Sequence, residues 1–277
     1  VAADSPFRFV QFEFGFRLGP EDGRYLRRAG GEPEWVIVLK TMGAPQRRLM
    51  RGRKPVEVTG AAGPSPVPTA RATLIAAQPF GSVADGERWL ESLRRDRPAL
   101  EQEIGAAARE LSALLRAHRA AAADPYARDV ARSVANVVRV GYGSGAQVAE
   151  GEFAAAYEIP DPALADRRSS EALAPLERLA AVLAGTQEVR VGEELVLRAR
   201  LDIEAGRWRE AALQARIALE SLLADLPGDT GGLEAHRGAV GGAANAAIEG
   251  ELGPELEAAV DEAVKEMRRA LRRVSGG

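Results

Sequence analysis

The apolar residues of this chain change period near residue 82, and that change limits the folds open to it. In residues 7–16, FRFVQFEFGF, Val10, Phe12, Phe14 and Phe16 fall on one side at period two, with Gln11, Glu13 and Gly15 on the other. Such alternation is the pattern of a half-buried strand. Gly19-Pro20-Glu21-Asp22-Gly23 has turn chemistry, because proline fixes φ and glycine reaches positive φ. Tyr25–Arg28 reads as a short return strand. Trp35–Leu39 (WVIVL), a continuous apolar run of β-branched character, reads as a central one. Val56–Val58 and Ala70–Ala77 read as further strands, and residues 60–69 (GAAGPSPVPT) as a loop. The first third therefore predicts a small sheet of three to five strands.

Beyond residue 82 the spacing is helical. Ser82 with Asp85 resembles a capping box in which Asp replaces Glu, opening a helix that carries Trp89, Leu90 and Leu93. Pro98 suits a first helical turn. Leu100, Ile104, Ala107, Leu111, Leu114, His118 and Ala121 follow a 4-3-4-3 spacing, a narrow seam suited to one antiparallel helix. Asp124-Pro125 reads as an N-cap with an N1 proline, and Val130, Val134, Val137, Val138 and Gly141 as the stripe of a returning helix. Pro160, Pro162 and Asp166-Arg167-Arg168 mark a linker. Further helices are expected near 172–184, 190–205, 208–225, 233–249 and 254–273. The chain thus reads as an α+β protein: a small, mostly antiparallel N-terminal sheet at 1–82, a helical hairpin region at 83–160 and a C-terminal α-helical bundle at 168–277.

Composition narrows the chemistry. A length of 277 residues suggests two units or one elongated one, at roughly 150 residues per domain. The absence of cysteine removes disulfides, thiolate metal sites and thiol nucleophiles together. With two histidines, a metal site would rest mainly on carboxylates. Aromatics are 5% and alanines number 53, which favours tight helix packing over an aromatic-rich sandwich. Residues 1–82 hold 12 basic and 7 acidic residues, net +5, so the remainder is net −8 in a chain of net charge −3. Arginine outnumbers lysine 34 to 3, which fits codon usage in a GC-rich genome rather than arginine chemistry. Val1 is expected to reflect a GTG start codon read literally. Residues 1–30 lack the basic and apolar regions of a signal peptide, and no apolar run approaches the length of a membrane span. The cytoplasm is the expected compartment and no membrane partner is expected.

Gly206, Trp208, Glu210, Ala211, Ala218, Leu219 and Glu220 resemble the second helix of a tetratricopeptide repeat, with a weaker copy at Gly151, Phe153 and Ala156. The resemblance covers about 35 residues and lacks the fixed period of an array. It implies a helix-turn-helix packing unit, not a peptide-binding solenoid. The same region resembles HEPN-type helical bundles, a family that includes ribonucleases whose motif is an arginine, four to six intervening residues and then a histidine. Before His236 those positions hold Asp229, Thr230 and Gly231, and before His118 they hold Leu111, Ser112 and Ala113, so the nuclease motif is missing. ADPYARDVARSVANVVRVGYGSGAQVAEG resembles an uncharacterised protein family of GC-rich bacteria, which implies no particular activity.

Several motifs carry candidate chemistry. Gly141-Tyr142-Gly143-Ser144-Gly145 is similar to a dinucleotide loop, but position 146 is Ala and the preceding residues have helical spacing. A helix break or close backbone contact is the expected role. It lacks the Lys-Ser/Thr pair of a P-loop and the spacing of a nucleophile elbow. Arg47, Arg48, Arg51, Arg53 and Lys54 place five cations in eight residues, suited to phosphate but without interleaved aromatics for base stacking. A solvated loop is the expected reading of that cluster. His118 reads as a packed histidine near a helix end, and His236 has no second histidine at helical spacing. Trp35, Trp89 and Trp208 read as core or hairpin anchors.

No residue is singled out as catalytic, cofactor-binding or metal-ligating, and no cofactor is expected. The leading expectation is a non-enzymatic protein-interaction or scaffold protein with an unknown protein partner or a second copy of itself. Nucleic-acid binding through residues 47–54 is the alternative, and a carboxylate- and metal-dependent enzyme the weaker one.

Overall fold

A computed structural model describes residues 5–43, 68–126, 128–159, 174–226, 231–250 and 252–275. The fold is α+β, and the chain divides into two compact units, Val1–Arg167 and Arg168–Gly277.

The first unit is built on six strands: β1 (Pro6–Phe14), β2 (Gly23–Ala29), β3 (Glu32–Met42), β4 (Thr69–Pro79), β5 (Val137–Ser144) and β6 (Ala155–Ile159). Their spatial order is β2-β3-β4-β1-β5-β6, and every neighbouring pair is antiparallel. Helices α1 (Val83–Arg95) and α2 (Arg97–Ala122) connect β4 to β5, and a short α3 (Gly145–Glu150) connects β5 to β6. The alternation in β1 is realised as expected. Val10, Phe12 and Phe14 are buried in the main core, and Gln11 and Glu13 face the other way. Two-sided burial explains the unbroken WVIVL run. Trp35, Ile37 and Leu39 enter the main core, while Val38 and the partly buried Val36 join a second, smaller cluster with Phe9, Ile75, Val148 and Ala149.

Both helix starts follow their cap chemistry. The Ser82 hydroxyl accepts from the Asp85 N–H at 3.2 Å, and an Asp96 carboxylate oxygen accepts from the Ala99 N–H at 3.0 Å. The α2 seam is buried as expected at Leu100, Ile104, Ala107 and Leu111, but farther along Leu115 is the buried residue, while Leu114 and His118 are only partly buried and Ala121 is exposed. Its partner differs from expectation: the seam packs on the sheet with Phe12, Phe14, Ile37, Leu74 and Val140, not on a returning helix. An apolar stripe specifies that a face is buried, not what buries it.

Residues 83–160, expected to form a helical hairpin, hold α1 and α2 in their first part, but the second part is the strands β5 and β6 with only the short α3 between them. Asp124 caps no helix; its carboxylate accepts from the Tyr126 N–H at 2.9 Å, closing a local turn. The stretch read as a returning helix contains β5, which pairs with β1 from Pro6↔Ser144 to Glu13↔Val137. Valines at 134, 137 and 138 satisfy a helical stripe, yet Val138, Val140 and Tyr142 also alternate at period two, and β-branched residues fit the pleated sheet. The weak repeat copy at Gly151, Phe153 and Ala156 likewise spans the end of α3 and the start of β6, not a helix pair.

The second unit contains α4 (Ala174–Leu183), α5 (Val191–Glu204), α6 (Trp208–Asp225), α7 (Gly231–Glu234), α8 (Arg237–Glu249) and α9 (Pro254–Ser275). Gly206, at φ 71°, makes the turn between α5 and α6, and Arg207 Nε pairs with Asp202 across it at 2.6 Å. Ala199, Ala211, Ala215 and Ala218 are fully buried, so the two helices approach closely. The core continues through Leu219, Leu222, Leu233, Val240, Val260, Val264 and Met267. Glu193 is buried in the first turn of α5, held by Arg178 of α4 and by Arg190 at 3.4 Å. No described helix is long and apolar enough to cross a membrane.

Two helical glycines of the first unit separate packing from propensity. A Cβ on Gly86 would lie 2.8 Å from the Tyr142 ring, whereas on Gly105 it would meet only the flexible tip of Arg109 at 3.4 Å. Gly86→Ala is expected to lose about 1–3 kcal/mol through overpacking. Gly105→Ala is expected to gain up to about 1 kcal/mol through helix propensity. Thermal unfolding of both variants checks the pair.

Candidate functional site

The sheet face opposite the main core carries a register row that crosses all six strands and is polar on five of them, Val38 of β3 being the exception. Arg24, Val38, Thr73, Gln11, Arg139 and Glu158 are successive cross-strand partners. Gln11 Nε2 donates to Thr73 Oγ1 at 3.1 Å, and Gln11 Oε1 accepts from Arg139 Nη1 at 2.9 Å. Arg139 also donates to Glu13 at 2.7 Å and Glu158 at 2.8 Å. Burial opposes the Arg139 charge, but the hydrogen bonds and charges of Glu13 and Glu158 outweigh it and hold its pKa above the ordinary arginine value. A buried amide, a buried hydroxyl and a partly buried guanidinium thus satisfy one another.

The adjacent register row brings Lys40, Arg71 and Glu13 together. Glu150, at the end of α3, receives Lys40 Nζ at 3.2 Å and Arg24 Nη2 at 3.3 Å, while Arg71 Nη2 donates to its backbone carbonyl at 3.0 Å. Hydrogen bonding and charge from Lys40, then hydrogen bonding from Arg24, hold the Glu150 carboxyl below its ordinary range. These contacts fasten α3 to the sheet and leave Val148 and Ala149 covering Phe9, Val38 and Ile75. The polar face is therefore an ionic latch.

A different opening lies at the sheet margin. β2 is a terminal strand of the sheet, with β3 on one side and no described strand on the other. Between β2 and α2 is a cavity of about 310 Å³, lined by Tyr25, Leu26, Arg27, Ile37, Ala113, Leu114 and Ala117. Positions 113, 114 and 117 share one face of α2 with Glu110, by the three-and-four spacing of neighbours on a helix. Leu100, Ile104 and Leu111 fill the core farther in, but opposite β2 the helix offers Ala113 and Ala117, too short to reach the strand. Arg27 Nε meets Glu110 at 3.0 Å at the rim, and the Tyr25 hydroxyl donates to the Glu21 carbonyl at 2.6 Å. Leu26, on the opposite strand face, is half exposed. The arrangement places a strand with no described partner on its outer side beside an apolar recess, suited to an extended chain with one apolar side chain directed inward.

The residues singled out from sequence do not converge on this groove. Arg47, Arg48, Arg51, Arg53 and Lys54 lie outside the described residues, in the connection between β3 and β4; Val56–Val58 lies there too. The glycine motif forms the second half of β5 and the first residue of α3, so the expected helical approach is corrected, while close backbone contact does describe Gly141. A Cβ there would lie 2.3 Å from the Ala155 carbonyl oxygen. His118 sits against Gly19, and His236 directly precedes α8. Trp35 is buried in the main core, and Trp89 packs on Phe80 with ring centroids 5.5 Å apart. Among the described residues no group of three or more His, Asp or Glu side chains is placed to hold a metal. The groove was missed because two alanines beside a leucine look like ordinary helix composition. The available signal was that Ala113 and Ala117 lie off the seam on the strand-facing side. Comparison with known protein families, curated proteins and solved structures gave no match.

The latch has a defined pH response. Glu150 titrates below its ordinary value of 4.5 when folded, so its contribution to stability is present above that value and is lost as pH falls through the lowered one. Glu150→Gln is expected to unfold at lower temperature than the parent at pH 7, with the two converging as the pH drops below about 4.5 toward 3. Thermal unfolding across that range provides the check.

Proposed function

We propose that the protein is a non-enzymatic, cytoplasmic interaction protein whose first unit takes up an extended segment of a protein partner along β2. The observation that carries this reading is the apolar recess beside a sheet edge, formed by Tyr25, Ile37, Leu114 and the two short side chains of α2. Strand addition supplies main-chain hydrogen bonds, and a recess for one side chain supplies selectivity. The helical unit, with its tetratricopeptide-like hairpin, acts in this reading as a packed scaffold.

Ala117→Phe tests it by filling the recess from an exposed position of α2. The variant is expected to keep the parent's stability within about 0.5 kcal/mol. It is also expected to lose, by tenfold or more, proteins retained by the parent from a lysate of the source organism. Equal retention by a folded variant sinks the reading.

A second reading, polyanion binding through residues 47–54, is favoured by one observation. Met42 and Thr69, which bound the connection containing that segment, are cross-strand partners two positions beyond Lys40 and Arg71. In this reading the segment adds to cations already gathered at that end of the sheet. Replacing Arg47, Arg48, Arg51 and Arg53 with Glu is expected to abolish salt-sensitive binding of DNA or RNA. The parent's log–log salt slope is expected to be about −0.9 per duplex phosphate neutralised. Fluorescence anisotropy measures both, and no binding by the parent at low salt removes this reading.

A further inference from the structure

We infer that the second unit binds a dianionic phosphate group, free or as a phosphomonoester, between Arg200 of α5 and Arg268 and Arg272 of α9. The inference uses residues of the second unit alone and is independent of strand addition along β2. α5 and α9 pack against each other and share one apolar core. Arg268 and Arg272 are four positions apart on α9, so they are neighbours on one helix face. Arg268 is half-buried, Arg272 is exposed and Arg200 has 45% of its side-chain surface exposed, so the group is open to solvent. Burial, followed by the like charges of Arg200 and Arg272, holds the Arg268 pKa below the ordinary arginine value, and Glu204 alone opposes them. The guanidinium stays charged all the same, because arginine does not deprotonate near neutral pH.

The carboxylates of both helices are held by other cations. On α9, Asp261 pairs with Lys265, Glu262 with Arg269, and Glu266 with Arg269 and Arg273. On α5, Glu194 pairs with Arg198, Asp202 with Arg207 and Glu204 with Arg200. Arg268 and Arg272 have no hydrogen bond or ion pair among the described residues. From Asp261 to Ser275, α9 holds five basic and three acidic residues, and α5 from Arg198 to Glu204 holds two of each, so the surplus falls on these two arginines. Around Arg268 itself stand three guanidiniums against the one carboxylate of Glu204, a surplus of two charges that a dianion balances. The helix dipole accounts for Arg272 and Arg273, which lie in the last turn of α9, but not for Arg268, one turn earlier beside two like charges. Phosphate suits the group better than a carboxylate does. Each guanidinium fork takes a pair of oxygens, and a tetrahedral phosphate offers several such pairs where a carboxylate offers one.

Nuclear magnetic resonance of the arginine Nε–H groups in the full chain tests the inference. The probes are inorganic phosphate, phenyl phosphate and acetate at low salt and about pH 8, where both phosphates are mainly dianions. Inorganic phosphate is expected to shift the Arg200, Arg268 and Arg272 resonances saturably and to bind roughly tenfold or more tighter than acetate. Arg268→Gln/Arg272→Gln is expected to weaken phosphate binding by roughly tenfold or more while keeping the parent's amide spectrum. Phenyl phosphate binding as tightly as inorganic phosphate assigns the site to a phosphorylated ligand, and much weaker binding assigns it to the free anion. No shift of Arg268 or Arg272 in the parent at tens of millimolar phosphate overturns the inference. Acetate binding as tightly as phosphate overturns it too, as does unchanged phosphate affinity in the double variant. Should the double variant not fold, Arg272→Gln alone, at an exposed position, replaces it, and unchanged phosphate affinity there is equally decisive against the site.

Discussion

The first unit depends on β1 being held from both sides. Its Phe12 and Phe14 enter the main core under α2, and its Gln11 and Glu13 hold Arg139 on the other face. β1 lies between β4 and β5, so removing it would split the sheet into a three-stranded meander and a two-stranded remnant. A buried amide is normally a liability, because an unmade hydrogen bond in the interior is worth more than a made one. Here the amide is bonded at both ends, to Thr73 and to Arg139, so the polar row also fixes register. A one-residue slip of β1 would bring Phe12 to the polar face and Gln11 to the core.

The second unit solves a different packing problem with smaller side chains. Alanines at 199, 211, 215 and 218 let α5 and α6 approach closely, and a Cβ at Gly192 would lie only 2.7 Å from Leu222. Close approach gains dispersion from backbone atoms that larger residues would hold apart. It also makes the interface intolerant of added volume. In the first unit the same alanine usage has the opposite result: Ala113 and Ala117 face an edge strand that does not close on them, and a recess remains. The functional proposal rests on that contrast.

Where local pattern and tertiary environment agreed, the sequence was readable. The inward face of β1, the cap at Ser82, the first-turn place of Pro98 and the helix–Gly206–helix hairpin were all legible from spacing. β5 was not, because Val134, Val137 and Val138 fit a helical stripe while Val138, Val140 and Tyr142 fit a strand, and only pairing with β1 decides between them. The partner of the α2 seam was hidden for a related reason, since a sheet of Phe, Leu and Val accepts the same stripe as a helix. Of the candidate site, the arginines of β2 were visible as charge and Tyr25–Arg28 as a strand. The recess was not, because it arises from the distance between two elements separated by about 80 residues, as the Arg27–Glu110 pair shows with a separation of 83.

The placement of β5 beside β1 has a consequence in time. Gln11 and Arg139 are 128 residues apart, so the central strand cannot complete its ladder until nearly the whole first unit has been made. At roughly 5–20 residues per second of synthesis, that interval is about 6–25 s. Throughout it, a strand bearing Phe7, Phe9, Phe12 and Phe14 exists without one of its two neighbours. Such long-range pairing slows folding and leaves an unpaired, aromatic-rich edge open to association. The nascent chain is therefore expected to need a holding factor at the ribosome more than the finished protein needs one in solution, and truncations before Ser144 to aggregate.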